Sequence, residues 1–236
     1  MQLERRDIEC AVWGVDHDEN KRYDVGIIAN AGATRRAIGR CDRHVNISHG
    51  IVDDEMPGDG RLICTSAEVA DRWGGGVVIN QPIDTDYWYD AGEDRRGLVF
   101  YSYRAPDAFS LPAVADALGV PFLWLRNVRH SQARKVLRRA ALVCASGRAA
   151  LEAMACGAPT LICDWRPYQG GPVVQPDTGE ARFRNYSGRG GYPVYSADMA
   201  SLAAAKMMDK SSRNYVFAHH DADKVAGRII EECLRS

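Results

Sequence analysis

The segment ALVCASGRAALEAMACGAPTLIC, Ala141 to Cys163, contains more structural information than any other part of this chain. Its two apolar ends predict buried strands, and Arg148–Cys156 between them predicts a helix. Ser146 and Gly147 form the turn from the first strand into that helix. Such a turn predicts an anion-binding site, because the first helical turn has unpaired N–H groups and the positive end of the helix dipole.

One carboxylate, Glu152, interrupts this otherwise apolar helix one to two turns after its start. A carboxylate can accept hydrogen bonds from two neighbouring hydroxyl groups. Turn and carboxylate together predict a ligand with phosphate at one end and hydroxyls nearby, which describes a nucleotide. Two simpler interpretations remain open: a glutamate exposed on the solvent face, and a Ser-Gly turn that only caps the helix.

The overall composition is that of an ordinary globular protein. The chain has 236 residues, is 46% hydrophobic and 26% charged, and has a formal net charge of −1. This balance provides no general attraction to nucleic acids or membranes. Seven cysteines without a C-x-x-C pair indicate free thiols in a reducing compartment. Because we find no apolar signal core and no run long enough to span a membrane, we expect a cytoplasmic protein.

Short apolar runs alternate with helical patterns, which predicts βαβ units and parallel sheets covered on both faces. The charged segment DTDYWYDAGEDRR, Asp84–Arg96, separates two series of strands and predicts a domain boundary. We expect Gln169–Pro193, rich in Gly, Pro and Arg, to be irregular, and the chain after Tyr195 to form two helices. The expected domains are a Rossmann-like domain at 1–86, a second at 87–195, and C-terminal helices at 196–236 that can pack back on the first.

The segment EAMACGAP, Glu152–Pro159, resembles the Glu-Ala-Met-Ala-x-Gly-x-Pro signature of a large group of GT-B glycosyltransferases. Weaker similarities to that group lie at Val78–Asp86, Ile47–Gly50, Leu62–Ser66 and Leu98–Arg104. The resemblance implies an α/β fold with two facing Rossmann-like domains of GT-B type, here with a reduced N-terminal domain. It also implies that the C-terminal domain binds a nucleotide-sugar and the N-terminal domain binds the acceptor.

The resemblance assigns roles to individual residues at the carboxyl ends of parallel strands, where open α/β sheets bind ligands. Backbone N–H groups of the Ser-Gly turn would bind the diphosphate, and Glu152 would accept hydrogen bonds from the ribose. The turn after Pro121–Leu125 would hold the base. The implied donor-binding residues are Arg104, Val128, Arg129, Ser146, Gly147, Arg148, Ala149 and Glu152. The implied loop or sugar contacts are Gly170, Gly171 and Arg189.

An inverting enzyme needs a general base for the acceptor proton. His49, which follows an apolar strand, is the first candidate and Asp16 the second; a loop histidine and a solvated acidic loop are the alternatives. Without such a base, arginine and backbone N–H groups would stabilise the leaving diphosphate. Cys144 stands where retaining members have a second glutamate, eight positions before Glu152, so the choice between inversion and retention stays open.

The resemblance implies no cofactor and no metal, although Asp16-His17-Asp18 and Asp84-Thr85-Asp86 match a D-x-D pattern formally. The co-substrate would be a nucleoside-diphosphate sugar, with a UDP-sugar as first candidate. The short N-terminal domain leaves room for a second subunit to complete the acceptor site, so oligomerisation is a further option.

The acceptor and the reaction stay open. A hydroxyl compound is the leading acceptor, and DNA with hydroxymethylated bases is the alternative, for which the cluster Arg35–Arg43 would contact phosphates. A nucleotide-sugar 2-epimerase and a non-catalytic nucleotide-sugar-binding protein are the other candidate functions.

Overall fold

The computed structural model describes residues 21–29, 41–51, 57, 60–103, 110–164, 173–175, 178–189, 191–193, 196–207 and 212–235. In chain order, the elements of this described part are β1 (Tyr23–Ala29), β2 (Cys41–Ser48), β3 (Arg61–Cys64), α1 (Ala67–Arg72), β4 (Val77–Val78), β5 (Leu98–Tyr101), α2 (Leu111–Ala117), β6 (Phe122–Leu125), α3 (His130–Leu137), β7 (Leu142–Ala145), α4 (Gly147–Ala155), β8 (Thr160–Asp164), β9 (Val173–Gln175), α5 (Thr178–Phe183), β10 (Tyr192–Pro193), α6 (Ser196–Met207), α7 (Ser212–His219) and α8 (Ala222–Arg235).

The chain divides into two compact units. One comprises the described residues of Met1–Pro82 together with those of Ala222–Ser236, and the other is Ile83–Asp221. The sequence pattern placed divisions at residues 86 and 195, whereas the contacts divide the chain at 82 and 221. The segment Asp84–Arg96 therefore belongs to the second unit.

In the first unit the described strands form a parallel sheet in the order β1-β2-β3-β4. The last helix, α8, packs on this sheet: Val225, Ile229 and Cys233 share an apolar core with Val45 and Ile63. Burial of this apolar face stabilises the docking of α8.

Polar contacts add to this docking. Arg228 Nη2 donates to the Val78 carbonyl at 2.7 Å. Arg61 forms an ion pair with Glu232, a carboxylate that is only 6% exposed. A buried carboxylate requires such a partner. Residues far apart along the chain therefore form one unit.

The second unit contains a sheet in the order β10-β9-β8-β7-β5-β6. The strands β5 to β8 are parallel, and β9 and β10 are antiparallel. Leu111 of α2 and Met199 of α6 lie in the core on one face, and Leu137 of α3 and Leu151 of α4 lie in the core on the other. The predicted α/β class with two Rossmann-like sheets is confirmed, and coverage of both faces explains the continuous apolar runs.

Two predictions about the second half of the chain were wrong. The region Gln169–Pro193 contains β9, α5 and β10, because Val174 pairs with Cys163 across antiparallel strands and this pairing leaves no local sequence signal. The chain after Tyr195 forms three described helices and not two, since the pattern does not show the break at His220 between α7 and α8. Among the described residues, none of the helices combines the length and apolar character that a membrane span requires.

The second sheet has a topological switch point. β5 lies between β6 and β7, and the chain leaves β5 towards α2 on one face but leaves β7 towards α4 on the other. Neighbouring strands whose connections diverge in this way open a crevice at their carboxyl ends, where open α/β sheets bind ligands. That crevice lies beside the register partners Tyr101 and Ala145. The topology of the second unit therefore makes the carboxyl ends of β5 and β7 the candidate ligand site.

Arg95 ties the segment Asp84–Arg96 to the second unit. Its Nη2 donates to the Cys156 carbonyl at 2.8 Å, and its Nη1 lies 3.4 Å from Ala140 O and 3.5 Å from Leu137 O. A cation at these positions supplies a donor to carbonyls at the C-terminal ends of α3 and α4, where the helix dipole is negative. Asp90 pairs with the same guanidinium at 2.9 Å.

Candidate functional site

The turn between β7 and α4 is built by Ser146 and Gly147. Ser146 is extended (φ −136°, ψ 160°) and makes no side-chain capping bond to the helix. Gly147 has φ +57°, a conformation that favours glycine, and a Cβ there would meet no described atom within 4 Å. Successive N–H groups in such a turn point to one side and form an anion-binding nest. The turn therefore has open space at Gly147, and Ser146 does not cap the helix through its side chain.

The amides of this turn are not all equivalent. The Gly147 N–H donates to the Tyr186 carbonyl at 2.6 Å. The amides of Arg148 and Ala149 lie in the first turn of α4, and neither donates to a backbone carbonyl of the described residues outside the helix. An anion at this turn would therefore be bound by Arg148 and Ala149, with Gly147 held in place by its own bond.

The carbonyl that holds Gly147 comes from a strained turn. Asn185 and Tyr186 both have left-handed backbones, with φ +51° and +56°. The first belongs to a Schellman motif that ends α5, in which Tyr186 N donates to Ala181 O at 2.6 Å and Asn185 N to Arg182 O at 3.2 Å. The second is costly for a bulky residue, and such conformations concentrate at functional sites.

Glu152 is buried, with 2% exposure, and each of its carboxylate oxygens has a partner. Arg148 Nε donates to Oε1 at 3.0 Å, and Tyr101 Oη donates to Oε2 at 3.1 Å. Because Tyr101 ends β5 and Glu152 lies on α4, the second bond crosses the switch point. The simpler interpretation of Glu152 as a solvent-facing residue is wrong.

Tyr101 is a site residue that the sequence analysis did not select. Burial raises its pKa above the ordinary value, and the Glu152 charge and hydrogen bond raise it further. The phenol therefore remains a hydrogen-bond donor at neutral pH. The sequence signal was only its place at the end of an apolar run, and its alignment with Ala145 requires the strand order.

Cys144, at the position of the missing glutamate, is fully buried in β7. Its side chain belongs to the core that α2 and α6 cover, on the opposite face of the sheet from α4. This position therefore provides no polar group to the turn at Gly147.

Part of the Glu152–Pro159 signature serves the fold. Gly157 follows α4 with φ +73°, and a Cβ there would collide with the Asp90 carboxylate and with Arg95. Ala153 is buried in the core beneath α4. The glycine and this alanine have packing reasons, so Glu152 is the member of the signature with chemistry to offer a ligand.

The other predicted residues lie in different places. Val128 and Arg129 follow β6, the neighbour of β5, at the same edge of the sheet; Val128 packs partly against the core and Arg129 is exposed. Arg189 belongs to the second unit, and its N–H donates to Ser187 Oγ at 3.3 Å. His49 is exposed directly after β2 in the first unit. Asp16, Arg104, Gly170 and Gly171 lie outside the described residues.

The metal pattern Asp84–Asp86 gains no support from its surroundings in the described structure. Asp84 Oδ1 accepts the Tyr87 N–H at 2.9 Å and so closes a turn. The Asp16–Asp18 pattern lies outside the described residues. Within the described ranges, no group of three or more His, Cys, Asp or Glu side chains is arranged to hold a metal ion.

Comparison with known proteins yields similarity to solved structures but not to sequence families. No protein-family model matches the chain, and no curated protein does. Among solved structures, the chain is similar to the sucrose-phosphate synthase from Thermosynechococcus elongatus, with 14% identity and a TM-score of 0.49. The match covers 80% of this chain and spans 66% of the length of that one. Any statement about the function of this chain therefore rests on its own residues.

Proposed function

We propose that this protein is a glycosyltransferase that binds a nucleoside-diphosphate sugar at the switch point of the second unit. A UDP-sugar is the first candidate donor, and a hydroxyl compound is the acceptor. The observation that carries the proposal is the buried Glu152 carboxylate, which Tyr101 and Arg148 hold beside the helix N-terminus that Gly147 opens. The resemblance of Glu152–Pro159 to the glycosyltransferase signature supports it.

The proposed binding mode uses the two features of the site separately. The diphosphate would accept hydrogen bonds from the Arg148 and Ala149 amides, where the helix dipole favours negative charge. The ribose hydroxyls would donate to Glu152, which is acceptor-only when ionised. Val128 and Arg129, at the same edge of the sheet, are the proposed base contacts. Arg104 and Arg189 are proposed as further contacts.

The proposed reaction breaks the bond between the anomeric carbon and the diphosphate oxygen. The acceptor oxygen forms a new bond to that carbon, the diphosphate leaves with the electron pair, and the acceptor proton passes to a base. Amides aimed at the leaving diphosphate stabilise the charge that develops there. We propose inversion, because Cys144 is buried away from α4 and supplies no carboxylate to the sugar. His49 is the proposed base.

A ligand screen tests the proposal. Nucleoside diphosphates and their sugars are added to the wild-type chain, to Glu152→Gln and to Glu231→Gln, and the unfolding temperature is measured. Glu231 is exposed on α8 in the first unit, so its variant is the matched control. We expect at least one nucleotide to stabilise the wild type and the control but not Glu152→Gln. A wild type that no nucleotide stabilises, or a Glu152→Gln variant that responds fully, would contradict the proposal.

Product analysis separates the remaining functions. Incubation of the stabilising donor with candidate acceptors, followed by NMR of the sugar, distinguishes transfer from 2-epimerisation, which leaves the diphosphate bond intact. Binding without any turnover would indicate a nucleotide-sugar-binding protein. DNA with hydroxymethylated bases is included among the acceptors.

The structure describes one arginine of the Arg35–Arg43 cluster, Arg43. Its Nη1 donates to the Leu234 carbonyl at 3.2 Å.

A further inference from the structure

We infer that Arg148 exchanges partners when ligand binds, moving from Glu152 to the phosphate groups, and that this exchange makes the site select phosphorylated nucleosides. The inference rests on the proposed function, because it concerns the same carboxylate and the same turn. It adds a specificity-determining role for the side chain of Arg148.

The first step of the argument is that both carboxylate oxygens have a partner and are shielded from water. Oε1 accepts from Arg148 at 3.0 Å and Oε2 from Tyr101 at 3.1 Å, and the Glu152 side chain is almost inaccessible to water. A carboxylate oxygen can accept a second hydrogen bond, but this carboxylate is covered by its two partners and the core, so ribose hydroxyls cannot reach it while both partners stay in place. At least one partner has to yield when ligand binds.

The second step is that Arg148 is the partner that can move. Its side chain is 54% exposed, and it pairs with Glu152 across one helical turn. Its guanidinium can therefore turn into water without disturbing the core, and ribose hydroxyls replace its hydrogen bond to the buried carboxylate. Tyr101, in contrast, ends a central strand, and its side chain packs against the core beside α4.

The third step concerns where Arg148 can go. It is the second residue of α4, so its own amide lies in the turn where an anion would bind. A guanidinium binds phosphate oxygens through two parallel N–H donors, which makes the phosphate groups a strong alternative partner. When the ribose takes its place on Glu152, Arg148 can neutralise the phosphate charge close to its own backbone.

The consequence is selectivity. A nucleoside without phosphate must displace Arg148 from Glu152 and offers it no new partner. A nucleoside diphosphate displaces it and then binds it. Removal of the Arg148 side chain should therefore weaken diphosphate binding without weakening nucleoside binding, whereas loss of a merely structural residue would weaken both.

Titration calorimetry tests this with uridine and UDP, and with the adenine, guanine and cytosine pairs in parallel. The proteins are the wild type, Arg148→Ala and the control Arg22→Ala, which removes an exposed 2.7 Å ion pair with Asp42 from the first unit. For the base that the wild type binds, we expect Arg148→Ala to lower diphosphate affinity about tenfold or more, because a charged hydrogen bond is lost. Nucleoside affinity should stay equal or rise, and Arg22→Ala should match the wild type.

A second variant covers the case in which Arg148→Ala does not fold. Arg148→Gln retains a donor for Glu152 but has no charge, so we expect the same loss for the diphosphate and no loss for the nucleoside. Equal weakening of both ligands, or no change in either, would overturn the inference and leave the proposed function intact. A wild type that binds neither ligand would instead overturn the proposed function.

Discussion

The Tyr101 phenol and the Glu152 carboxylate are joined by a 3.1 Å hydrogen bond that links the end of β5 to the first turns of α4. The bond spans the switch point of the second sheet, so it holds a negative charge at the edge where open α/β sheets generally bind ligands. A carboxylate that is already oriented loses less side-chain entropy when a ligand binds. This is the physical reason to expect Tyr101 to matter for binding.

Tyr101→Phe removes this bond with little change in volume. We expect the free energy of unfolding to fall by about 1–2 kcal/mol, because a buried carboxylate oxygen loses its donor. Nucleotide affinity should fall as well, measured by calorimetry on the same protein. The matched control is Tyr103→Phe, two residues further along, where the residue is 59% exposed. Equal effects of the two variants would contradict the role of Tyr101.

Gly147→Ala tests the left-handed turn. Because a Cβ at Gly147 meets no described atom, the cost should come from the backbone alone and be about 1–2 kcal/mol. Gly119→Ala is the control, since Gly119 has φ +64° and equally open surroundings, before β6 at the other end of the strands. We expect similar losses of stability by urea unfolding but weaker nucleotide binding only in Gly147→Ala. If Gly119→Ala weakens binding as much, the turn has no special role.

Arg95→Ala tests the joint between the segment Asp84–Arg96 and the two helices. We expect a loss of about 2–3 kcal/mol in the free energy of unfolding, because carbonyls at the C-termini of α3 and α4 lose a charged donor. Arg96→Ala serves as control: Arg96 is exposed, and its hydrogen bond to the Arg139 carbonyl uses the backbone amide. A comparable loss in Arg96→Ala would show that removal of a positive charge, and not of the bonds to the carbonyls, lowers the stability.

Glu232→Ala tests the docking of α8 on the first sheet. Loss of this carboxylate leaves Arg61 without its ion pair, and we expect a decrease of about 1–3 kcal/mol in unfolding free energy. The neighbouring Glu231→Ala removes an exposed carboxylate and should change stability by less than about 0.5 kcal/mol. Hydrogen exchange of the amides in β2 and β3 should rise only in Glu232→Ala. Unchanged exchange would mean that this ion pair does not hold α8.

Alkaline pH should destabilise the fold through its buried thiols. Burial raises the pKa of Cys64 to about 11 and that of Cys156 to about 12, from 9.0 for a free thiol. Below the unfolded pKa both states bind the proton, so stability is intact. As pH rises towards the folded values, only the unfolded state releases it, and the free energy of unfolding falls.

The measurement is urea unfolding at a series of pH values from about 7 to about 11. Cys156→Ala lacks one of these protons, so its stability should fall less steeply with pH than that of the wild type. The difference between the two proteins should therefore shrink as pH increases. A constant difference across the series would show that Cys156 does not contribute to the pH dependence.

Much of the second unit could be predicted because its signals are local. The apolar runs, the Ser146-Gly147 turn and the helix that carries Glu152 lie within one short segment, and the structure confirms β7, α4 and β8 there. Apolar periodicity and turn residues act over a few positions, so these elements do not depend on distant partners.

The short strands and the partners of the site could not be predicted in the same way. Val174 becomes a strand residue only because Cys163 lies beside it. Tyr186 supplies the acceptor for Gly147 only because a left-handed turn after α5 packs against α4. These contacts join residues 11 and 39 positions apart.

Local patterns were therefore sufficient for the α/β class, the strand-turn-helix unit and the place of Glu152 within it. Strand order was needed to show that Tyr101 shares Glu152 with Arg148, and long-range packing was needed to assign α8 to the first unit. The reason is physical: helix and turn preferences arise from neighbouring residues, whereas burial, partner choice and pKa shifts arise from groups that meet only after the sheets assemble.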